Sequence, residues 1–324
     1  GLLAFLLTSC STTKNLPEGA VLYTGIKKIE VKNEDKTKPG EAALEEVEAA
    51  LAYPPNNALL GSSSIRVPFP FGLWVYNAFV NKKGKVGKWI FNKLASKPVL
   101  ITTVNPDVRV KVARNLLNEY GYFNGETSFE VVPDPKNPRK AKLEYSVTMN
   151  DPYTLDSHIR HRADSLIDAT IGDRILHKGE NFNVVQLQAE RERISSLLRN
   201  NGYYYFRPDF ITYQADTLLN PGKVALRVAP KESLPPSALR PWKLGDISVW
   251  LNGYQNETPT DSIRYKDLTI HYEGKLRVRP SVIYNRLYFK PGELYNQRAQ
   301  ERTQTALSRL GIFRYAELQY SPRD

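Results

Sequence analysis

Apolar and polar positions follow two different periods along most of the chain, and one succession of these periods occurs three times. Each copy contains a helical stretch in which apolar residues recur every three or four positions, followed by a segment in which apolar and polar residues alternate. The helical stretches begin near Asn105, Asn183 and Asn296. The sequence therefore predicts three repeats that each combine helices with half-buried strands.

A glycine followed by two large apolar or aromatic residues closes each helical stretch. The full pattern is an apolar pair, three mostly polar residues, the Gly and the two large residues, and it occupies residues 116–123, 197–204 and 306–313. Glycine adopts a positive φ at no steric cost, so it commonly stands just past a helix end. Gly121, Gly202 and Gly311 are therefore predicted to be left-handed residues that stop the three helices.

Predicted strands flank the helices in a fixed order. An alternating segment follows each Gly, at residues 128–131, 210–213 and 316–320, and in the first two copies a turn then leads into a second strand. A leading strand and a shorter helix come before the main helix. The pattern Gly-Glu-x-aromatic-Asn stands at the start of the second and third main helices, at residues 179–183 and 292–296. The predicted repeating unit is β-α-α-β-β.

These repeats divide the chain into a leader and three modules. Residues 1–20 contain a signal remnant and a linker, and residues 21–150 form a first module with a long insertion at 54–96. Residues 151–233 form the second module, and residues 242–324 form a third that stops before its last strand. The predicted fold class is α+β, with two helices on a three-stranded mixed sheet in each module.

Composition limits the chemistry that such modules can perform. The 324 residues include 45 Lys and Arg against 34 Asp and Glu, a formal net charge of +11, and only one Cys and four His. One Cys excludes a disulfide framework and a Cys-rich zinc site. The surplus of positive charge favours acidic partners or an anionic membrane surface.

Catalysis has little support in the sequence. His158 and His161 stand near Asp156 and Asp164, but a strand that runs into a helix would not hold all four side chains on one face. Dinucleotide-binding, phosphate-loop, zinc-protease and nucleophile-elbow patterns are missing. We therefore predict that the chain is not an enzyme and has no catalytic residue, metal or cofactor.

The first ten residues resemble the end of a bacterial lipoprotein signal peptide. An apolar run from Leu2 to Leu7 is followed by Thr8, Ser9 and Cys10, which is similar to a lipobox. This resemblance implies that Cys10 is acylated and that it anchors the chain to a membrane facing the periplasm. Nucleic acid is scarce in the periplasm, so we predict no nucleic-acid partner despite the basic composition.

The repeat resembles POTRA domains, the periplasmic modules of the BamA/TamA superfamily of outer-membrane assembly proteins. The shared features are the β-α-α-β-β unit and the Leu-x-x-x-Gly helix end with its two large residues, and the lipobox makes the chain most similar to the TamA-like lipoproteins of Bacteroidota. The resemblance implies a periplasmic region, held at the outer membrane, that receives unfolded outer-membrane proteins and passes them to its own C-terminal β-barrel. A TamB-like periplasmic protein is a candidate partner.

The strand after each helix-ending Gly is the candidate client-binding site. In a β-α-α-β-β module this strand pairs on one side only, so its free edge can pair with an incoming extended chain. The candidate residues are Phe129, Val131, Phe210, Ile211, Tyr213, Leu318 and Tyr320. The alternative is a structural adaptor that docks a periplasm-spanning partner and does not bind clients.

The insertion in the first module is a candidate membrane surface. Residues 61–100 contain seven Lys and Arg and no Asp or Glu, interleaved with seven aromatic residues, which is typical of the interfacial zone of a bilayer. The candidate residues are Trp74, Lys82, Lys83, Lys85, Lys88 and Trp89. The alternative is a helical hairpin that packs on its own domain and carries a solvated basic loop.

Overall fold

A computed structural model describes residues 12–323, apart from 60–64, 68–69, 82–83, 157–159, 162–165, 167–173 and 252–258. The chain divides into two compact units. Unit 1 consists of Gly1–Leu155, Gly179–Val184 and Thr217–Val224. Unit 2 consists of Asp156–Lys178, Val185–Asp216 and Ala225–Asp324. In the described part of the chain, no helix is both long enough and apolar enough to cross a membrane.

The described residues of the first predicted module contain three long strands and five helices. In chain order these are β1 (Leu22–Lys32), α1 (Lys38–Leu51), α2 (Phe71–Phe79), α3 (Lys85–Leu94), α4 (Ile101–Val104), α5 (Pro106–Glu119), β2 (Glu126–Asp134) and β3 (Asn137–Thr148). The sheet order is β1-β3-β2, with β1 parallel and β2 antiparallel to β3. Without α2, α3 and α4, this is the predicted β-α-α-β-β unit, and β2 lies at the edge of its sheet.

The core of the first module lies between one face of β3 and the two long helices. Alternate residues of β3 point to the same face of a strand, and Leu143, Tyr145 and Val147 are fully buried. They pack in one cluster with residues that recur at helical spacing on α1 and α5. These helical residues are Ala43, Val47, Leu51, Ala113 and Leu117. The helices therefore cover one face of the sheet. The outer edge of β2 is free of β1, because β1 lies on the other side of β3.

The second module has a leading strand in two short pieces, a long helix and a hairpin. These elements are β4 (Thr154–Leu155), β5 (Arg160–His161), α6 (Val184–Arg199), β6 (Ile211–Asp216) and β7 (Lys223–Pro230). In unit 1, β4 runs parallel to the first two residues of β7. In unit 2, β7 pairs parallel with β5 and antiparallel with β6. The predicted shorter helix of this module falls largely outside the described residues.

The third module differs from the predicted β-α-α-β-β order, because all three of its described strands precede its helices. Its elements are β8 (Ile247–Trp250), β9 (Asp261–Tyr265), β10 (Leu268–Tyr272), α7 (Pro280–Tyr284) and α8 (Gln297–Ser308), with sheet order β8-β10-β9. The strand predicted at 316–320 is wrong, because these residues form no strand. The central strand β10 is already paired on both sides, with β8 and β9, so residues 316–320 cannot pair with it. The α+β fold class is nevertheless confirmed.

Candidate functional site

The first candidate edge is β2, which pairs with β3 and with no other described strand. Phe129 stands opposite Tyr145 and packs partly into the core, whereas Val131, opposite Leu143, is exposed. Helix α5 lies along this strand, and the Thr127 hydroxyl donates a hydrogen bond of 2.7 Å to the Val110 carbonyl of α5. The strand is therefore held in position from its inner side while its outer backbone edge is not paired.

The second candidate edge is β6, which pairs with β7 and, in the part of the chain that the structure describes, with no other strand. Ile211 is fully buried, and the Tyr213 hydroxyl donates to the Leu187 carbonyl at 3.1 Å. Burial raises the pKa of Tyr213 above its usual range. The Arg191 guanidinium lies over the same ring, 5.0 Å from its centroid. These inward contacts fix the strand on helix α6.

Phe210 does not belong to this edge, which corrects the prediction. It lies in a short 3-10 turn, Pro208–Phe210, where Pro208 fixes φ, and its carbonyl accepts a hydrogen bond of 2.7 Å from the Lys231 N–H. The Ile211 N–H donates to the Pro208 carbonyl in the same turn. The edge therefore begins at Ile211.

The Lys231 bond also shows which amides of β6 point outward. It makes Phe210 and Lys231 a hydrogen-bonded pair, and such pairs alternate with non-hydrogen-bonded pairs along an antiparallel ladder. Thr212 and Gln214 therefore direct their N–H groups to β7. Tyr213 and Ala215 direct theirs to the open side, where an incoming strand would lie.

The third candidate edge does not exist as a strand, so Leu318 and Tyr320 are not edge residues in this structure. The Tyr320 ring packs against Tyr204 and Tyr295, with centroids 5.1 and 5.7 Å apart. Burial is the main cause that raises the pKa of Tyr320. This tyrosine contributes to a cluster of rings at the end of helix α6 rather than to a strand edge.

That cluster belongs to a joint that occurs twice in the chain. In its first occurrence the Gly121 carbonyl accepts from the Tyr153 N–H at 2.8 Å, and the Tyr153 carbonyl accepts from the Phe182 N–H at 2.8 Å. Two further bonds join Leu155 to the glycine-glutamate turn, from the Leu155 N–H to Glu180 and from the Gly179 N–H to Leu155. The helix end therefore contacts the first residues of the next module.

The second occurrence has the same four bonds. The Gly202 carbonyl accepts from the Trp242 N–H at 2.8 Å, and the Trp242 carbonyl accepts from Tyr295 at 2.9 Å. The bonds from Leu244 to Glu293 and from Gly292 to Leu244 measure 2.8 and 2.7 Å. Each residue thus has a counterpart of the same kind in the first joint. In both joints the helix end with its Gly therefore lies against the Gly-Glu-x-aromatic-Asn segment of the repeat.

Both joint glycines have a positive φ and no room for a side chain. Gly121 has φ +90° and Gly202 has φ +101°. A Cβ on Gly121 would stand 2.9 Å from the Phe182 carbonyl oxygen, and one on Gly202 would stand 2.9 Å from the Pro241 Cβ. Phe123 packs on Phe182 in the first joint, and Tyr204 packs on Tyr295 in the second.

The third helix end has no such neighbour among the described residues. Gly311 has φ +67° and is exposed, and nothing lies within 4 Å of a Cβ placed on it. Ile312 and Tyr315 are exposed beside it. The sequence predicted all three left-handed glycines, but it gave no sign that two of them form joints and that the third is open.

The first module begins with counterparts of two of these four backbone bonds, but with a different cover. The Tyr23 N–H donates to Val99 at 2.8 Å, and the Ile101 N–H donates to Val21 at 3.0 Å. Leu16 and Leu73 pack on this ladder through Leu22. The linker before β1 and helix α2 of the insertion therefore cover the start of the first module.

The candidate membrane residues lie in three different environments. Trp74 is half-buried on α2, whereas Lys85, Lys88 and Trp89 are exposed on α3. Lys82 and Lys83 lie outside the described residues, as does the candidate lipidation site Cys10. Among the side chains that the structure describes, no group of three His, Cys, Asp or Glu could hold a metal ion.

Comparisons with known proteins give similar structures but no family. No protein-family model matches the chain, and no curated protein matches it. POTRA domains 3 to 5 of BamA from Haemophilus influenzae are 14% identical, with a TM-score of 0.36 over 96% of this chain and 94% of that chain. The N-terminal domain of Omp85 from the thermophilic cyanobacterium Thermosynechococcus elongatus is 16% identical, with a TM-score of 0.26 over 95% and 93%. POTRA domains 1 to 3 of Omp85 from Anabaena are 13% identical, with a TM-score of 0.25 over 95% and 91%. At these TM-scores the superpositions are loose, and no role follows from them.

Proposed function

We propose that this chain is the periplasmic module region of an outer-membrane protein assembly factor, and that its β2 and β6 edges pair with extended segments of unfolded outer-membrane proteins. The observation that carries the proposal is the pairing of each strand on one side only, with the Tyr213 and Ala215 amides of β6 directed to the open side. An edge strand presents unpaired N–H and C=O groups that template another strand. Client strands of a β-barrel are extended before they fold, so backbone pairing suits them.

Backbone pairing also explains how one site serves many clients. Hydrogen bonds along a strand edge depend little on the side chains of the incoming chain. They therefore add affinity without strong sequence selection. The inward side-chain contacts of Ile211 and Tyr213 support this role, because a strand held rigidly loses little conformational freedom when a partner pairs with it.

The location that we propose is the periplasmic face of the outer membrane, with the chain anchored through a lipid on Cys10. The clients would pass to a β-barrel C-terminal to these modules. The support is the lipobox-like Leu7-Thr8-Ser9-Cys10 and the β-α-α-β-β unit of the first module.

The experiment that tests edge pairing uses a photoreactive residue at Gln214 and a fluorescent peptide from a transmembrane β-strand. We expect adducts with the peptide, and we expect Ala215→Pro to abolish them, because it removes an outward N–H that β7 does not use. Proline is tolerated where a strand N–H faces solvent, so this variant should fold. Equal crosslinking with and without Ala215→Pro, in proteins of equal urea stability, would refute edge pairing at β6.

A structural adaptor is the second candidate function, and the open helix end favours it. Gly311, Ile312 and Tyr315 form an exposed surface of the kind that is covered at the other two joints. A periplasm-spanning partner, such as a TamB-like protein, could be held there. Photocrosslinking from Ile312 in cells distinguishes the two functions: one dominant adduct supports the adaptor, and many barrel precursors support client handling.

A further inference from the structure

Helix α3 is the outer helix of the inserted hairpin. Its partner α2 is fixed to the first module, because Leu73 is buried against Leu16 and Leu22. The Asn15 side chain also donates to the Asn77 carbonyl of α2 at 2.9 Å. Helix α3, in contrast, has no buried residue. The hairpin therefore packs on its domain through α2 and presents α3 outward.

The contacts between the two helices determine which side of α3 faces away. The Phe91 ring packs on Tyr76 with centroids 5.5 Å apart. Just beyond α3, the Ser96 N–H donates to the Gly72 carbonyl at 2.8 Å. Phe91 therefore marks the inner side of α3, and the residues on the opposite side of the helix face solvent.

Two neighbouring rows of side chains run along that outer side. Residues four apart lie on one face of a helix, which gives a row of Lys85, Trp89 and Lys93 and a second row of Val86, Ile90 and Leu94. Trp89 is 61% exposed, Val86 73% and Leu94 47%. An amphipathic helix normally turns its apolar row to the core, but in α3 both ends of this row, Val86 and Leu94, are exposed, and Ile90 between them is half-buried.

The charge of the segment selects the kind of surface that could cover these rows. Residues 61–100 contain no Asp or Glu, and Lys85, Lys88, Lys93 and Lys97 are all exposed. Exposed apolar side chains beside Trp and Lys fit the interfacial zone of a bilayer, where rings lie at headgroup depth and ammonium groups contact phosphates.

We propose that α3 lies in the surface of an anionic bilayer, with Val86, Trp89, Ile90 and Leu94 inserted and the lysines on the headgroups. This role goes beyond client capture and does not depend on it. It assigns the membrane contact to α3, whereas α2, through Leu73, attaches the hairpin to the first module. A basic, apolar helix on a neighbouring protein surface would need acidic partners and is the alternative that the experiment excludes.

Vesicle flotation of the full chain, unacylated at Cys10, tests the proposal. The vesicles contain either equal amounts of phosphatidylglycerol and phosphatidylcholine or phosphatidylcholine alone. We expect binding to the anionic vesicles. Each Lys near an anionic surface contributes about fivefold, so Lys85→Glu with Lys88→Glu should weaken partitioning at least about 25-fold. Val86→Asp with Leu94→Asp should weaken it about tenfold or more.

The matched control places the same charges on another exposed helix face. Val108 and Val112 of α5 are 49% and 44% exposed, so Val108→Asp with Val112→Asp adds equal charge away from α3. This control should bind almost as wild type does. If both aspartate pairs weaken binding equally, or if the α3 variants bind as wild type does, the membrane contact lies elsewhere, for example in residues 2–7, and the proposal is wrong. It is also wrong if the wild type binds neither vesicle.

Trp89 supplies a second readout that does not depend on the charges. Its fluorescence should shift to the blue when anionic vesicles are added, and Trp89→Phe should remove that part of the shift while most of the flotation remains. A blue shift that persists in full in Trp89→Phe would show that another tryptophan enters the membrane, and it would contradict the assignment to α3.

Discussion

An alanine at the second joint should destabilise unit 2 far more than the same change at the third helix end. Gly202 and Gly311 both follow a long helix with a positive φ, +101° and +67°. The value at Gly311 lies in the left-handed region that Ala can adopt, whereas the value at Gly202 lies beyond it, so Gly→Ala introduces more backbone strain at Gly202. That strain costs about 1 kcal/mol at Gly311 and more at Gly202. Both glycines belong to unit 2, so one unfolding transition reports on both variants.

A further difference between the two sites is what the new Cβ would contact. At Gly202 it would stand 2.9 Å from the Pro241 Cβ and 3.2 Å from Leu294, whereas nothing lies within 4 Å at Gly311. Displacing Pro241 would break the bond from the Trp242 N–H to the Gly202 carbonyl, a loss of about 1 kcal/mol. Separating Tyr204 from Tyr295 would cost about another 1 kcal/mol.

We therefore expect Gly202→Ala to lower the free energy of unfolding by about 3 kcal/mol and Gly311→Ala by about 1 kcal/mol. Urea denaturation followed by circular dichroism measures both, and unchanged m-values would show that the same surface unfolds. Equal losses at the two sites would refute the conclusion that Gly202 forms a close-packed joint and that Gly311 is open.

Three further changes test contacts within unit 1. Burial alone would raise the pKa of the Asp35 carboxyl, but the Thr37 N–H and the Tyr122 hydroxyl donate to it and hold that pKa below its ordinary value. The ionised Asp35 carboxylate therefore stabilises unit 1 above about pH 4, and this stabilisation is lost as the pH falls through the folded-state pKa. Asp35→Asn should flatten the plot of the urea midpoint against pH in this range. An unchanged slope would contradict the assignment. The Arg139 guanidinium donates to the carbonyls of Thr13, Leu16 and Pro17, so Arg139→Ala should make residues 12–20 cleavable by trypsin under native conditions. A cleavage rate equal to that of the wild type would show that these bonds do not hold the segment. Leu73 is 1% exposed, so Leu73→Ala should cost about 2–5 kcal/mol, measured by urea unfolding, and a loss below 1 kcal/mol would show that α2 is not anchored there.

The parts of the fold that depend on local chemistry could be predicted from the sequence. The three helix-ending glycines have the predicted positive φ, because only the residue itself and its helix decide that conformation. Helix α5 begins at Pro106, next to the start that the sequence predicts near Asn105, and Asn105 takes a left-handed conformation after α4 and makes no side-chain cap. Asn296 does cap its helix, accepting from the Ala299 N–H.

The parts that depend on distant neighbours could not be predicted. Val108, Val112 and Leu116 recur at helical spacing and would by that pattern share the buried face of α5, but Val108 and Val112 are exposed while Ala113 and Leu117 are buried. Two apolar rows lie close together on this helix, and only the position of α1 and the sheet decides which one is covered. The joints were missed for the same reason, since the four bonds of each joint connect residues 24 to 53 positions apart and leave no local signal.

The most direct test of the central proposal is the hydrogen exchange of single amides in β6, with and without an unfolded outer-membrane protein. If the client pairs with the free edge, Tyr213 and Ala215 should gain protection, because their N–H groups point to the open side. Thr212 and Gln214 already donate to β7 and should change much less. Equal exchange at Tyr213 and Ala215 with and without bound client would contradict strand-edge capture at this module.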